Sequence, residues 1–328
     1  MTETETETER RRPAVLDTDI GTDVDDILAL ALLATAPEVD LVGVTTVYGD
    51  TALRARMARW VCDQLGRPDV TVAVGARETL TNRPVWWAGH EGEGIPDLER
   101  VAIDETEGGV DYLRRVAREH AGDLNLYAIG PLTNVAAAIR ADPGFAGALR
   151  HLSIMGGAFW MEQPEHNIKC DPEAADVVFR SGIPMSVCGL DMTTRVWIRE
   201  QDVREIGQVH GELGKALEAQ IRRWWSFVGK TENNPHDPLA ALMAIRPDLF
   251  RFEACDVRVG LNEGDLARTF PENCGRGAAR IAADVDVDAA GRELVRRLAG
   301  QGGGGRGAAA PSAGGMDGRR AAPGSVPG

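Results

Sequence analysis

Between residues 13 and 190, short runs of β-branched and apolar residues alternate with segments of helical periodicity, and no other feature narrows the fold of this chain as much. Strands are expected over 13–17, 40–47, 70–74, 124–129, 149–155 and 185–190. Helices are expected between them, over 27–35, 53–65, 109–120, 133–140 and 172–181. The pattern predicts an α/β fold, an open, mainly parallel sheet with helices on both faces. Such sheets bind ligands at the carboxyl ends of their strands. The polar clusters of this chain fall just after the expected strands, where that rule puts a site.

The alternation belongs to a core of 13–299, read as one domain because no linker-like stretch divides it. Residues 1–12 are an alternating Thr-Glu run closed by arginines, and 300–328 are rich in Gly, Ala, Pro and Ser. Neither can bury enough apolar surface to offset the entropy of ordering, so both are read as disordered tails. No signal-peptide-like apolar region follows the N-terminal arginines, and no apolar run approaches the roughly 18 residues of a membrane span. The expected compartment is therefore the cytoplasm, with no membrane partner. A net charge of −14 leaves no basic patch to displace counterions from phosphates, which excludes nucleic acid as a partner. The five cysteines, Cys62, Cys170, Cys188, Cys255 and Cys274, are odd in number, widely spaced and without a CxxC pair. They argue against a disulfide framework or a zinc site and are read as small buried apolar residues.

The segment Asp17-Thr-Asp-Ile-Gly-Thr-Asp-Val-Asp-Asp26 follows the first expected strand and holds five carboxylates in ten residues. Gly21 lets the chain turn sharply, and a helix starting near Val24 aims its first amides at the same place. Helix capping accounts for one or two of these aspartates, not five. Carboxylates so close repel one another unless a cation neutralises them, and oxygen ligands of this kind suit Ca²⁺ or Mg²⁺. The segment is not an EF-hand loop, since Leu28 stands at its twelfth position. A Mg²⁺-dependent phosphatase of the aspartyl-phosphate type is a competing reading, in which Lys169 is the one candidate for the phosphate-binding lysine.

A second cluster, Asn233-Asn-Pro-His-Asp-Pro-Leu239, leads into an apolar helix over 239–245. Asp237 before Pro238 has the form of an N-cap with proline in the first turn. Capping leaves His236 unexplained. An imidazole titrates near neutrality and suits proton donation to a leaving group.

Five further segments join these two: Val44-Thr-Thr-Val-Tyr-Gly-Asp50, Gly130-Pro-Leu-Thr-Asn134, Met155-Gly-Gly157, Glu165-His-Asn167 and Asp171-Pro-Glu-Ala-Ala175. In order and spacing the seven resemble the inosine-uridine-preferring nucleoside hydrolase family over most of 13–299. The resemblance implies a Rossmann-like sheet, hydrolysis of ribonucleosides to ribose and free base, a Ca²⁺ cofactor, and a homodimer or homotetramer. By position, it makes Asp19 both a calcium ligand and the general base, Asp26 a bidentate ligand, and Asp237 a ligand from the far end of the chain. The carbonyl of Ile129 is a further implied ligand. Asp25, Glu165 and Asn167 would hold the ribose, with Asp50 and Met155 also among the substrate-binding residues. His236 would protonate the leaving base, His90 would lie near it, and Asp17 would be structural. The chemistry agrees, because breaking an N-glycosidic bond builds positive charge on the ribose, which carboxylates stabilise.

The chain also departs from the family pattern. Asp23-Val24 is inserted between Gly21 and the Asp25-Asp26 pair, so Asp23 could take a role assigned to either. Asp50 stands where the family usually has Asn, and His90-Glu-Gly-Glu-Gly94 differs from the usual His-Gly. Trp160, Trp224, Trp225 and Phe227 are candidates to stack on a base, with core packing the alternative for each. Two further readings stand beside the hydrolase: a relative acting on another N-riboside, and a ribose-binding protein without catalysis.

Overall fold

The computed structural model describes residues 11–208 and 211–300. The strands are β1 (Arg12–Thr18), β2 (Val39–Thr46), β3 (Thr71–Val74), β4 (Leu124–Ala128), β5 (Leu149–Met155), β6 (Met185–Cys188), β7 (Phe250–Val259), β8 (Thr269–Glu272) and β9 (Ala279–Val285). The helices are α1 (Asp25–Thr35), α2 (Thr51–Gln64), α3 (Gly109–Glu119), α4 (Thr133–Ala141), α5 (Phe145–Ala148), α6 (His166–Cys170), α7 (Pro172–Phe179), α8 (Leu190–Thr193), α9 (Glu200–Gly207), α10 (Glu212–Val228), α11 (His236–Ile245) and α12 (Val287–Leu298). All nine strands join one sheet in the order β3-β2-β1-β4-β5-β6-β9-β7-β8. From β3 to β9 the pairing is parallel. β7 and β8 close one edge in antiparallel fashion. This is the expected α/β architecture.

Side-chain alternation sorts the core into two layers. On β1, Ala14 and Leu16 enter one layer and Val15 the other. The first layer is covered by α1, α2, α10, α11 and α12 through Leu28, Leu32, Val61, Leu217, Leu242 and Leu294. The second is covered by α3, α4 and α7 through Tyr112, Val116, Val135 and Val178. Central strands buried on both faces read as continuous apolar runs, which is why the first two-thirds of the chain is so legible. The winding runs outward from β1 through β2 to β3 in one direction and from β4 onward in the other. The order therefore reverses between β1 and β4, which makes the carboxyl ends of these two strands the expected binding crevice.

Several expectations need correction. α11 begins at His236, so Asp237 lies inside its first turn and its side chain caps nothing. Arg12, placed in the N-terminal tail, opens β1 and pairs with Asp123 at 2.9 Å. The rest of the expected tails, apart from Arg11 and Gly300, lies outside the described residues. Cys255 and Cys274 are joined by a disulfide rather than both being buried thiols. They stand 19 residues apart, and the β7–β8 pairing carries the chain back until Gly275 donates its N–H to the Ala254 carbonyl at 2.7 Å. Linear spacing carries no sign of that return. Cys62, Cys170 and Cys188 are free and buried, as expected. Among the described residues no helix is long and apolar enough to cross a membrane.

Candidate active site

The Asp17–Asp26 segment leaves β1 at the strand-order reversal. Gly21, at φ +118°, makes the turn, and an added Cβ there would stand 2.7 Å from the Met57 sulfur. Across the crevice, Gly130 follows β4 and Ile129; a Cβ on Gly130 would lie 2.6 Å from a carboxylate oxygen of Asp19. Glycine at both points lets the two loops meet. Ile129 N–H donates to the Asp17 carbonyl at 2.9 Å, which ties the loops together.

A cavity of about 280 Å³ opens where they meet. Asp19, Asp23, Asp25, Asp26, Ile129, Met155, Glu165, Asn167, His236 and Asp237 all line it, together with Thr22, Trp86, His166, Leu190 and Trp224. Residues from both ends of the chain are thus brought together. Oxygen atoms of Asp25, Asp26 and Asp237 converge within 4.8 Å of one another. All three side chains are 4% exposed, and Asp19 is 7% exposed. The close trio includes Asp25, which the resemblance assigned to the ribose.

Burial is the first cause that raises the carboxyls here, and mutual repulsion adds to it. Asp26 and Asp237 are pushed well above the ordinary carboxylate range by burial, then by their aspartate neighbours. Asp23 is raised for the same reasons. Asp25 is pushed up to about 7 by burial, against an Asp237 N–H that donates to it at 3.2 Å. These are oxygen donors held together at electrostatic cost, and a hard divalent cation offsets that cost. The residues therefore fit such an ion. Asp26 also accepts from the Thr18 hydroxyl.

Asp17 sits behind the cavity and is fully buried. One of its oxygens accepts from Thr45 Oγ1 at 2.6 Å and Asn134 Nδ2 at 2.7 Å, and burial pushes its carboxyl up to about 7. That network braces β1 against β2 and α4, a structural role. Arg54 is a feature the sequence did not reveal. It is 1% exposed, donates to the carbonyls of Asp19, Ile20 and Tyr48 and to Thr22 Oγ1, and packs over the Trp87 ring. It pins the backbone of the carboxylate loop from below. Its position in a helix of mixed character gave no signal.

The second shore is built by α6 and α11. Glu165 caps α6, accepting from the N–H groups of Asn167 at 2.7 Å, Ile168 at 3.0 Å and Gly157 at 3.1 Å, while burial raises its carboxyl. Asn167 Nδ2 donates to the Ile129 carbonyl at 2.7 Å and to the Met155 carbonyl at 3.2 Å. A carbonyl has two lone pairs, so Ile129 keeps one for another partner. His236 opens α11, with Nδ1 2.7 Å from Thr193 Oγ1, and burial pushes its imidazole down to about 4.

Two expected site residues stand outside the lining. Asp50 caps α2, accepting from Leu53 N–H at 3.1 Å. His90 Nε2 lies 2.8 Å from the Thr22 carbonyl, and its ring packs 4.4 Å from that of Phe227. Of the four aromatic candidates, Trp224 lines the cavity. Trp225 is a core residue bonded to Asn233 at 2.8 Å, and Trp160 and Phe227 are exposed. Trp86 was missed, although the Trp86-Trp87 pair just before His90 marked the spot. Lys169, which a phosphatase would require, is exposed on α6 and outside the lining.

Comparison with known proteins accounts for this arrangement. The family model described as inosine-uridine preferring nucleoside hydrolase matches residues 14–291. The chain belongs to this family. Uridine nucleosidase 1 of Arabidopsis thaliana is 33% identical over 261 residues, which span 75% of this chain and 77% of that protein. A pyrimidine-specific ribonucleoside hydrolase of Photobacterium profundum is 30% identical over 266 residues, covering 76% and 84%. Among solved structures, a plant nucleoside hydrolase superposes with a TM-score of 0.80 at 27% identity, covering 88% of this chain and 99% of its own. A purine-preferring ribonucleoside hydrolase of Gardnerella vaginalis gives 0.76 at 25% identity, covering 89% and 99%. As a nucleoside hydrolase, the chain is an N-glycosyl hydrolase that cleaves the N-glycosidic bond of ribonucleosides.

Proposed function

We propose that this nucleoside hydrolase works with a bound Ca²⁺, held by Asp19, Asp26, Asp237 and the Ile129 carbonyl. The observation that carries the proposal is the convergence of the Asp25, Asp26 and Asp237 oxygens within 4.8 Å, in a cavity that also holds Asp19 and His236. When bound, the ion acidifies and fixes a water and orients the ribose diol. Asp19 takes the proton of the attacking water. Asp25 holds the sugar with Glu165 and Asn167, and the carboxylates around the cavity stabilise the positive charge that develops on the ribose. Glu165 is kept rigid by its three N–H donors. His236 meets the departing base as a neutral hydrogen-bond donor, in place of the full proton transfer that the resemblance implies, because burial holds its imidazole down to about 4. Met155 lines the same cavity. Asp50 and His90 act from outside the lining, Asp50 through the start of α2 and His90 through the Thr22 loop that it holds.

Trp86 and Trp224 give the outer cavity an apolar, aromatic lining suited to a planar base. Assembly as a homodimer or homotetramer and a cytoplasmic compartment complete the proposal; light scattering and cell fractionation test them. The catalytic reading is tested by base release from uridine, cytidine, inosine and adenosine beside their 2′-deoxy counterparts. Deoxynucleosides are expected to react about 10²-fold more slowly or worse, because the hydroxyl they lack is a designed contact. Equal rates on both series would remove the diol from the mechanism.

A further inference from the structure

The Thr193 hydroxyl, at the end of α8, lies 2.7 Å from Nδ1 of His236, and its surroundings decide which group carries the shared proton. Thr193 is 0% exposed, so water does not reach its hydroxyl. Among the described residues that hydroxyl has no other hydrogen-bond partner. Thr194, the next residue, shows the ordinary use of a helical hydroxyl: its Oγ1 donates back to the Leu190 carbonyl at 2.6 Å. Thr193 makes no such bond. A hydroxyl always has one proton to place, and a buried O–H without an acceptor is costly. If Nδ1 carried the ring proton, the N–H would donate to Thr193 and the threonine proton would be stranded.

We infer that Thr193 donates to Nδ1 and is thereby the positioning residue that holds His236 in its Nε2–H form, a neutral hydrogen-bond donor to the departing base. The inference rests on the reading of His236 as the group that meets the base. The His236 ring lines the cavity, and beyond the Thr193 contact it has no hydrogen-bond partner among the described residues, so Nε2–H is the donor left for the substrate. As the N-glycosidic bond breaks, its electron pair goes to the base. The Nε2–H stabilises that charge without transferring its proton, the base is protonated from solvent, and the imidazole ends unchanged. Thr193 touches neither substrate nor water; it acts through the ring. Its side chain fixes the tautomer and the plane of the imidazole together.

Long-range ¹H–¹⁵N spectra of the enzyme labelled at histidine test the tautomer, with the His236 signals assigned by their loss in His236→Asn. Wild type is expected to show an acceptor-type Nδ1 and a protonated Nε2, and Thr193→Val to show a tautomer mixture. In kinetics, Thr193→Val is expected to lower kcat on uridine or inosine about tenfold, the worth of one hydrogen bond, and Thr193→Ser to restore it. KM should stay within about twofold, since the contact matters only as the base leaves. The loss on p-nitrophenyl riboside, whose leaving group needs little help, should be much smaller, and Thr193→Val should add nothing in a His236→Ala background. A protonated Nδ1 in wild type overturns the inference, as does equal loss on both kinds of substrate or failure of Thr193→Ser to restore the rate. If wild type releases no base from any ribonucleoside, the catalytic reading fails instead, and the spectra still decide the tautomer.

Discussion

The two ends of the sheet handle clustered carboxylates in opposite ways. At the carboxyl ends of β1 and β4, Asp25, Asp26 and Asp237 crowd together, and burial with mutual repulsion raises them all. Arg54, the buried cation beneath them, gives its N–H groups to backbone carbonyls and Thr22, not to the carboxylates. At the amino end of β2, Glu38 and Glu293 meet Arg297 and Arg296. Arg297 is 6% exposed, binds Glu38 through both oxygens at 2.7 and 3.0 Å, and reaches Glu293 at 2.7 Å. Hydrogen bonds from Arg296 and then Arg297 outweigh burial and hold Glu293 down to about 2. The same chemical groups are paired with the protein's own arginines at one end and left without a cationic side-chain partner at the other. The first arrangement serves stability alone. The second carries an electrostatic cost that a cation would offset.

The largest effect that would break this contrast is at Asp237. Asp237→Ala removes one member of the close trio and should lower base release on the order of 10³-fold, with Tm at or above wild type when the ion is absent, because one repelling buried carboxylate is gone. A variant that kept more than a tenth of the activity would make Asp237 dispensable and reduce the cluster to an acidic crevice.

Arg54→Met comes next. It strands the Asp19, Ile20 and Tyr48 carbonyls and should cost about 3–5 kcal/mol in chemical unfolding. A loss under about 1 kcal/mol would show that the loop holds its shape without the guanidinium.

Glu293→Gln is the smallest effect and sharpens the other side of the comparison. A depressed carboxyl adds stability that is present above its unfolded value of 4.5 and is lost as pH falls through about 2. The variant should therefore show a flatter decline of Tm between these two pH values than wild type. At neutral pH it should be less stable by on the order of 1 kcal/mol, since Arg296 is well exposed and its share is screened. Parallel pH profiles would assign the acid limb to other groups.

The same contrast marks what could be read from the chain. Strands β1 to β6 and the longer helices between them were legible because burial on both faces writes long apolar runs, whereas the short α5 and α6 were not expected. β7 was not, since Arg251, Glu253, Asp256 and Arg258 interrupt its apolar residues at the antiparallel edge. The carboxylate segment was legible as a cluster too dense for capping alone, and His236-Asp237 because capping by Asp237 left the histidine unexplained. Asp50 and His90 had the right residue types but are engaged elsewhere, by the start of α2 and by the Thr22 carbonyl. Arg54, Trp86 and Thr193 act through what they touch across the fold, and no local pattern announces such contacts. Asp25 shows the same limit within a motif: its place in the trio is a distance, which a one-dimensional spacing does not contain.

The most direct measurement is calcium itself. Protein stripped with chelator and dialysed should release no base from a ribonucleoside substrate, and Ca²⁺ should restore the rate along the same saturation curve that calorimetry gives for its binding. Asp26→Ala and Asp237→Ala should abolish both. Full activity in the stripped protein, or calorimetric silence on adding Ca²⁺ to it, would contradict the claim that the converging carboxylates are a calcium site.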